Sequence, residues 1–247
     1  MKIYLAGLEM KHKYIEENSN ILYALSSFFT IRDDYAQFIP HFKDFILDSG
    51  AFTFMNCSIK NVDWNDYLKK YANFINDNKI KNFFELDIDS IVGYSKVKEY
   101  RKELENLTGK RCIPVWHRSR GIDEFFNLCE EYNYIALGGI AIGHIKPSEH
   151  KYFSYFIQEA HKRKTKIHGL GYTSISNLTK YHFDSVDSTT WTTGGRFGFI
   201  YKFTGKTLVR EKISGGNTGM RISNSYEIDK LNLKEWIKFQ KYAEVHL

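Results

Sequence analysis

The chain has 247 residues, of which 43% are hydrophobic and 26% charged, and its formal net charge is +6. This composition excludes an intrinsically disordered chain, and the length is sufficient for one large domain with a substantial core. The positive charge is compatible with a polyanionic partner but does not establish one.

No apolar run approaches the roughly 20 residues that a membrane-spanning helix requires. The N-terminal segment MKIYLAG predicts a first strand rather than a secretory signal. The cysteines are three, an odd number, and they are scattered along the chain. This pattern predicts a reducing compartment, the cytoplasm, and no disulfide framework.

Short apolar runs that predict strands alternate with segments of helical periodicity. The predicted strands are 2–7, 44–50, 82–89, 112–117, 134–141, 166–172 and 183–191. The intervening segments carry apolar stripes at helical spacing, as in 64–75 and 97–107. After Gly198 the pattern changes, and we predict a small β insertion over 199–222, after the seventh strand, and a closing helix over 233–244.

This alternation predicts an α/β fold with a parallel sheet and crossover helices. A doubly wound sheet and a (β/α)8 barrel of the TIM type both fit it. We favour the barrel because polar or glycine-rich residues follow almost every predicted strand, and many strand ends converge on one site only if the sheet closes. No linker or internal repeat divides the chain, so we predict a single domain over 1–247.

Acidic residues follow two of the predicted strands. In LDSGAF, Asp48 either faces the barrel mouth or caps the following helix. In FFELDID, Glu85, Asp87 and Asp89 share one face of the strand. Burial of three carboxylates is costly unless they bind a cation or a donor-rich ligand, and the alternative is that some of them lie in solvent.

Histidine, arginine and glycine residues follow three further strands. PVWHR places His117 and Arg118 at the same rim. In IALGGIAIG, Gly138 and Gly139 allow the backbone to approach a flat ligand, or else allow close helix–strand packing. HGLGYTS is a glycine turn that His168 enters, and such a turn can cradle a phosphate or an oxyanion.

Metal-binding and nucleotide-binding signatures are missing from the sequence. It contains no CxxC or HExxH motif, no Walker loop and no properly placed GxGxxG. We therefore predict no metal and no cofactor, while a cation held by the carboxylates of Asp87 and Asp89 stays an open alternative.

The segment FDSVDSTTW carries two aspartates on one predicted strand. Side chains alternate along a strand, so Asp184 and Asp187 point to opposite faces. Asp187 lies nearer the C-terminal end of the strand. We therefore expect Asp187 to face the barrel mouth and Asp184 to face away from it.

These motifs, in this order, resemble those of the tRNA-guanine transglycosylase superfamily over about residues 44–198. LDSGAF is similar to an Asp-Ser-Gly-Gly-aromatic motif, and ELDID to a Phe-Asp-Glu strand. YIALGGIAIG resembles Gly-Gly-Leu-Ala-Val-Gly, HGLGYT resembles Met-Gly-Val-Gly, and FDSVDSTTWTTGGRFG resembles the segment with the nucleophilic aspartate. Members of the superfamily exchange guanine for a 7-deazaguanine base on a (β/α)8 barrel.

The resemblance implies a role for each matching residue. Asp187 would be the nucleophile on the anomeric carbon of the sugar, and Asp48 the general acid/base. His117 takes the place of a glutamine in the family, and His168 that of a methionine. The residues implied to surround the base are Ser49, Phe52, Asp87, His117, Gly138, Gly139 and His168.

The chain departs from the tRNA enzymes in one respect that bears on its substrate. Their cysteine-rich zinc cluster is missing, because no cysteine follows Cys129. A short, zinc-free chain resembles the DNA-modifying branch of bacteriophages and bacterial modification clusters. The implied partners are DNA, with tRNA as the alternative, and a free 7-deazaguanine base such as preQ0. Basic residues expected at the phosphate backbone, or otherwise in a solvated surface, are Arg118, Arg120, Arg196, Lys202 and Arg210.

Three other functions remain open at this stage. One is a zinc-free tRNA-guanine transglycosylase. Another is a glycosidase or nucleoside hydrolase that uses Asp48 and Asp187 with water as the acceptor. The third is a barrel that binds a base or nucleic acid without turnover, which the two strand-end carboxylates disfavour.

Overall fold

The computed structural model describes residues 1–9, 11–56, 62–172, 174–212 and 225–247. Within these ranges a single parallel sheet is formed by eight strands: β1 (Lys2–Ala6), β2 (Tyr23–Ser27), β3 (Asp44–Asp48), β4 (Asn82–Phe83), β5 (Val115–Trp116), β6 (Tyr134–Leu137), β7 (Lys166–Gly169) and β8 (Ser185–Ser188).

The sheet curls into a barrel with β1 beside β8. The strand order is β4-β3-β2-β1-β8-β7-β6-β5, and a parallel bridge between Phe84 and Ile113 joins the two outer strands. Backbone hydrogen bonds from Ile113 N to Phe83 O and from Glu85 N to Ile113 O support this bridge. This arrangement is a TIM-like α/β fold, which confirms the predicted fold class.

Helices follow the strands and cover the outside of the sheet. Among the described residues they are α1 (His12–Asn18), α2 (Asp33–Ala36), α3 (Ala51–Asn56), α4 (Trp64–Asp77), α5 (Asp89–Val92), α6 (Tyr94–Thr108), α7 (Ile122–Glu131), α8 (Phe153–Lys162), α9 (Ile175–Leu178), α10 (Thr193–Phe197) and α11 (Ser225–His246). None of the helices in this part of the chain is long and apolar enough to cross a bilayer.

The helix α4 shows how sequence and packing agree. Asp63 caps it, since its Oδ1 accepts hydrogen bonds from Asn65 N and Asp66 N, both at 3.0 Å. Its apolar stripe is buried against the sheet. From that stripe, Tyr71 Oη donates to the carbonyl oxygens of Leu47 and Phe84 at 3.1 and 3.0 Å, which ties the ends of β3 and β4 together below the barrel mouth.

Two details of the prediction are corrected. The strand β2, with the sequence YALSS, was not predicted, so the seventh predicted strand is β8. The β insertion therefore follows the eighth strand and not the seventh. It is an antiparallel hairpin of β9 (Phe199–Phe203) and β10 (Leu208–Lys212), and residues 213–222 of the predicted insertion lie outside the described residues. The closing helix, α11, is longer than the predicted 233–244.

The barrel has separate outer and inner clusters of buried side chains. The outer cluster lies between sheet and helices. The inner cluster includes Tyr4, Tyr23, Phe84, Ile113 and Val115. Because every second residue of a strand faces inward, the last inward residue of each strand reaches the C-terminal mouth of the barrel.

Candidate active site at the C-terminal mouth

Asp48 is the last residue of β3 and is half-buried. The backbone N–H of Gly50 donates to Asp48 Oδ2 at 2.9 Å. Gly50 has a φ of +85°, and a Cβ at this position would lie 2.7 Å from Phe29 Cβ. Only glycine fits both constraints, so the sequence Asp-Ser-Gly produces the turn that directs an amide back onto the carboxylate.

The carboxyl of Asp48 has a pKa close to neutral pH. Burial, together with the negative charges of Asp187 and Asp87, raises the pKa of Asp48 to about 7, against the opposing effect of the Gly50 amide. These charges act on Asp48 because the ends of three different strands place the three carboxylates in one region. A carboxyl with this pKa can both give and take a proton near pH 7.

Asp187 lies in β8 with 8% of its surface exposed. Its Oδ1 accepts the Gly171 N–H at 2.6 Å and lies 3.1 Å from His168 Nε2. Both contacts are made by the same oxygen, and in the described part of the chain Oδ2 has no hydrogen-bond partner. One oxygen is therefore held while the other is left for a ligand.

Asp184 directly precedes β8 and points to the opposite side of the sheet from Asp187, as predicted. Its Oδ2 accepts the Ile167 N–H at 2.8 Å and contacts His161 Nε2 at 2.9 Å. These partners belong to β7 and α8, away from the barrel mouth, so Asp184 takes no part in the candidate site.

Arg120 neutralises the acidic segment that follows β4, which ends at Phe83 rather than at the predicted residue 89. Its side chain is 1% exposed, and its Nη1, Nη2 and Nε donate to Glu85 Oε1 at 2.7 Å, Asp87 Oδ1 at 3.0 Å and Asp89 Oδ2 at 3.1 Å. The prediction that Arg120 contacts a phosphate backbone is corrected, because a buried guanidinium bound to three carboxylates is not available to solvent. The donor-rich partner that the three acids require comes from the protein itself.

His117 completes this cluster. Its Nε2 lies 2.8 and 2.7 Å from the two oxygens of Asp87. Burial lowers the pKa of His117, but the contact with Asp87 outweighs burial and raises it overall. Arg101 Nε also donates to Glu85 Oε2 at 2.5 Å. With His117 protonated, three cations, including Arg120, face the three carboxylates.

The ligand atoms of Asp87, Asp89 and His117 lie within 4.8 Å of one another, a spacing that suits a cation. Arg120 already donates to both of these carboxylates. A cation at this position would compete with the guanidinium, and the prediction of no metal stays a prediction.

Gly138 and Gly139 follow β6 and lie against His117. A Cβ on Gly138 would lie 2.5 Å from His117 Cε1 and 2.7 Å from Val115 Cγ1. The Gly138 N–H donates to the Trp116 carbonyl at 2.9 Å, so this amide is not free for a base. The two glycines and His117 line a cavity of about 360 Å³, within the roughly 300–1,000 Å³ typical of small-ligand sites.

We expect Gly138→Ala to displace the imidazole of His117 from Asp87. The new methyl group would overlap the ring, so the pKa of His117 should fall as the carboxylate contact is lost while burial remains. Overpacking of this kind costs roughly 1–3 kcal/mol of unfolding free energy. Titration of His117 by NMR, with urea denaturation, measures both effects. Gly143→Ala is the control for the titration, since a Cβ there meets no neighbour within 4 Å, while its φ of +72° adds backbone strain to its own denaturation result. An unchanged His117 titration in Gly138→Ala would contradict the expectation.

The other predicted site residues are placed as follows. Ser49 is 1% exposed, and its Oγ has no hydrogen-bond partner in the described part of the chain. His168 is fully buried beneath Asp187. Phe52 lies in α3 and Arg196 in α10, and the side chains of both lie outside the described residues. The predicted roles of Phe52 and Arg196 remain predictions, whereas burial leaves the side chains of Ser49 and His168 closed to a base, which corrects their predicted roles.

The remaining basic residues are exposed. Arg118 is 69% exposed and pairs with Glu149 at 2.5 Å. Lys202 is 63% exposed and lies 3.3 Å from Glu211. Arg210 is exposed and lies over the ring of Phe199. Lys202 and Arg210 thus share the β9–β10 hairpin, and their predicted contact with a phosphate backbone stays a prediction.

Neither a protein-family model nor a curated protein matches the chain. Similar solved structures include two of the carboxyl transferase domain from Rhizobium etli pyruvate carboxylase. The structure with 3-hydroxypyruvate shares 13% identity at a TM-score of 0.43, over 84% of this chain and 36% of that one. The structure with 3-bromopyruvate shares 12% identity at a TM-score of 0.48, over 99% of this chain and 47% of that one. The chain spans less than half the length of either.

Proposed function

We propose that this protein is a transglycosylase that exchanges guanine in DNA for a free 7-deazaguanine base such as preQ0. The observation that carries the proposal is the pair of unlike carboxylates at one barrel mouth. Asp48 has a pKa of about 7, whereas Asp187 is held through one oxygen by an amide and an imidazole. A base exchange through a covalent intermediate needs one carboxyl that moves protons and another that attacks.

The reaction has two displacements. In the first, Asp187 Oδ2 attacks C1′ of the sugar, the bond from C1′ to the base breaks, and protonated Asp48 gives its proton to the departing guanine. In the second, ionised Asp48 takes a proton from the incoming base, whose nitrogen attacks C1′ and breaks the ester to Asp187. Each step inverts C1′, so the net configuration is retained.

The cavity lined by His117, Gly138 and Gly139 is the place that we propose for the base. Asp87, which His117 contacts, would accept hydrogen bonds from the Watson–Crick edge of the base after releasing His117. A nucleotide must leave its stack to reach such a site, which costs a few kcal/mol and is least costly in unpaired strands.

A labelled-base assay tests the proposal. The protein is incubated with labelled guanine or preQ0 and with single-stranded DNA, duplex DNA or tRNA in parallel. Label entering DNA supports the proposal. Label entering tRNA and not DNA would show a zinc-free tRNA enzyme instead. Release of free base into water without incorporation would identify an N-glycosyl hydrolase.

The pKa of Asp48 predicts opposite pH dependences for the two steps. Base release needs protonated Asp48, so formation of the covalent adduct should slow about tenfold per pH unit above pH 7. Resolution of the adduct by an incoming base needs ionised Asp48, so its rate should rise about tenfold per pH unit below pH 7 and level off above pH 7. Quenched single-turnover reactions on denaturing gels between pH 5.5 and 9 measure both rates. Identical profiles for the two steps would contradict the assignment of Asp48.

The raised pKa of Asp48 can also be tested through protein stability, with the variant Asp48→Asn. The pKa of Asp48 is raised on folding, so its ionisation opposes folding once the pH rises above the unfolded value of 3.8. We therefore expect the variant to exceed the wild type in unfolding free energy by up to about 4 kcal/mol above pH 7. At pH 4 the two proteins should be equally stable.

A further inference from the structure

A chain of buried polar groups runs beneath Asp187. Tyr134 Oη lies 2.5 Å from Ser185 Oγ, which lies 2.6 Å from His168 Nδ1. On the other side of the ring, His168 Nε2 lies 3.1 Å from Asp187 Oδ1. The residues come from the neighbouring strands β6, β7 and β8, and His168 pairs in register with Ser185.

The carboxylate of Asp187 sets the direction of these hydrogen bonds, which the distances alone leave open. The hydroxyl of Tyr134 carries a proton at neutral pH, burial raises its pKa further, and it can donate to Ser185 Oγ. Ser185 then donates to His168 Nδ1, and the imidazole proton must lie on Nε2, facing the carboxylate. The reverse order would point a lone pair of Nε2 at Asp187, which is repulsive.

The position of His168 excludes direct contact with a base. Its side chain is fully buried, and the ring of Phe84 lies against it at 5.3 Å between centroids. The superfamily that the sequence resembles has a methionine here, and a thioether donates no hydrogen bond. The contact with Asp187 therefore depends on this chain's own histidine.

We infer that His168 is a positioning residue for the nucleophile. Its Nε2–H, fixed by Ser185 and Tyr134, holds Asp187 Oδ1 and leaves Oδ2 to attack the sugar. In the covalent ester Oδ1 is the carbonyl oxygen. When the C1′–Oδ2 bond breaks, its electron pair returns to the carboxylate, and the same N–H stabilises that charge without transferring a proton. The reaction assigned to Asp187 rests on the proposed function.

Ser185→Ala tests the inference, because it removes the donor to Nδ1 while leaving His168 and Asp187 in place. Nitrogen-15 NMR at pH 7.5 should show a neutral Nε2–H imidazole in the wild type and a mixture of tautomers in the variant. We expect the rate of adduct resolution to fall roughly 10–100-fold, the usual effect of losing a residue that orients another. The KM for the incoming base should be unchanged, since none of these groups touches it.

Tyr4→Phe is the matched control. Tyr4 is also buried in the barrel interior, and its hydroxyl donates to Asp44 Oδ2 at 2.8 Å, outside the chain that leads to Asp187. Its removal should leave the His168 tautomer and both rates unchanged. Tyr134→Phe removes a tyrosine hydroxyl just as Tyr4→Phe does, but from within the chain of polar groups. It should shift the His168 tautomer in the same direction as Ser185→Ala.

Three results would overturn the inference: an Nδ1–H imidazole in the wild type, a doubly protonated His168 there, or wild-type resolution rates in Ser185→Ala. Failure of the proposed function gives a different result. In that case the wild type would form no adduct with DNA or tRNA, and the tautomer signals of wild type and Ser185→Ala would decide the hydrogen-bond order by themselves.

Discussion

Asp187→Asn is expected to abolish the covalent DNA adduct and to lower base exchange by roughly 10⁴-fold or more. An amide nitrogen or oxygen is a poor nucleophile, whereas the Oδ1 of asparagine can still accept the Gly171 N–H. The fold should therefore survive the change. The measurement is incorporation of labelled base together with the adduct band on a denaturing gel.

Asp184→Asn is the matched control, since it makes the same chemical change three residues earlier on the same segment. Asp184 contacts His161 and the Ile167 amide on the far side of the strand. Exchange by this variant should stay close to that of the wild type. Exchange that persists in Asp187→Asn would show that another group attacks the sugar.

Arg120→Met is expected to lower the free energy of unfolding by about 3–5 kcal/mol. The variant keeps most of the side-chain volume but leaves Glu85, Asp87 and Asp89 without their shared donor. Arg120 also lies 4.3 Å over the ring of Tyr94, and this cation–π contact would be lost as well. Urea denaturation at pH 7 measures the loss.

Arg118→Met is the control for this prediction, on the same turn of chain. Arg118 is 69% exposed and forms one ion pair with Glu149. Exposed pairs contribute at most about 1 kcal/mol. Equal losses in Arg118→Met and Arg120→Met would show that the buried ion cluster contributes no more than a surface pair.

The inward and outward faces of β8 could be predicted from sequence because a strand alternates strictly. That rule separates Asp184 from Asp187 without knowledge of any neighbour. The alternation of strands and helices likewise predicts a parallel sheet, and the polar or glycine-rich strand ends favour its closure into a barrel. The strand β2 escaped prediction because YALSS lacks β-branched residues, although it is as long as β1 and β3, and its pairing with those strands identifies it.

The environment of Arg120 could not be predicted in the same way. A basic residue in a turn has the same local sequence whether it points to solvent or folds back over the strand ends. The outcome depends on how β4 and β5 meet, which is a tertiary property. The contact between His168 and Asp187 was only weakly indicated by the sequence, in which Ser185 and Asp187 share one face of β8. The register of β7 against β8, which pairs His168 with Ser185, was needed to predict it.

The join between β4 and β5 is made by side chains as much as by backbone. Each strand is two residues long, and beyond the Phe84–Ile113 bridge the Val115 N–H binds Glu85 Oε1 at 2.9 Å while Arg120 binds the Val115 carbonyl. The buried ion cluster of Glu85 and Arg120, which contacts Asp87, therefore also joins β4 to β5 and closes the barrel. If the site binds a base as proposed, His117 can change without loosening the barrel, whereas a change at Glu85 or Arg120 would also remove the contacts that join β4 to β5. Base specificity and barrel closure would then depend on the same buried ion cluster.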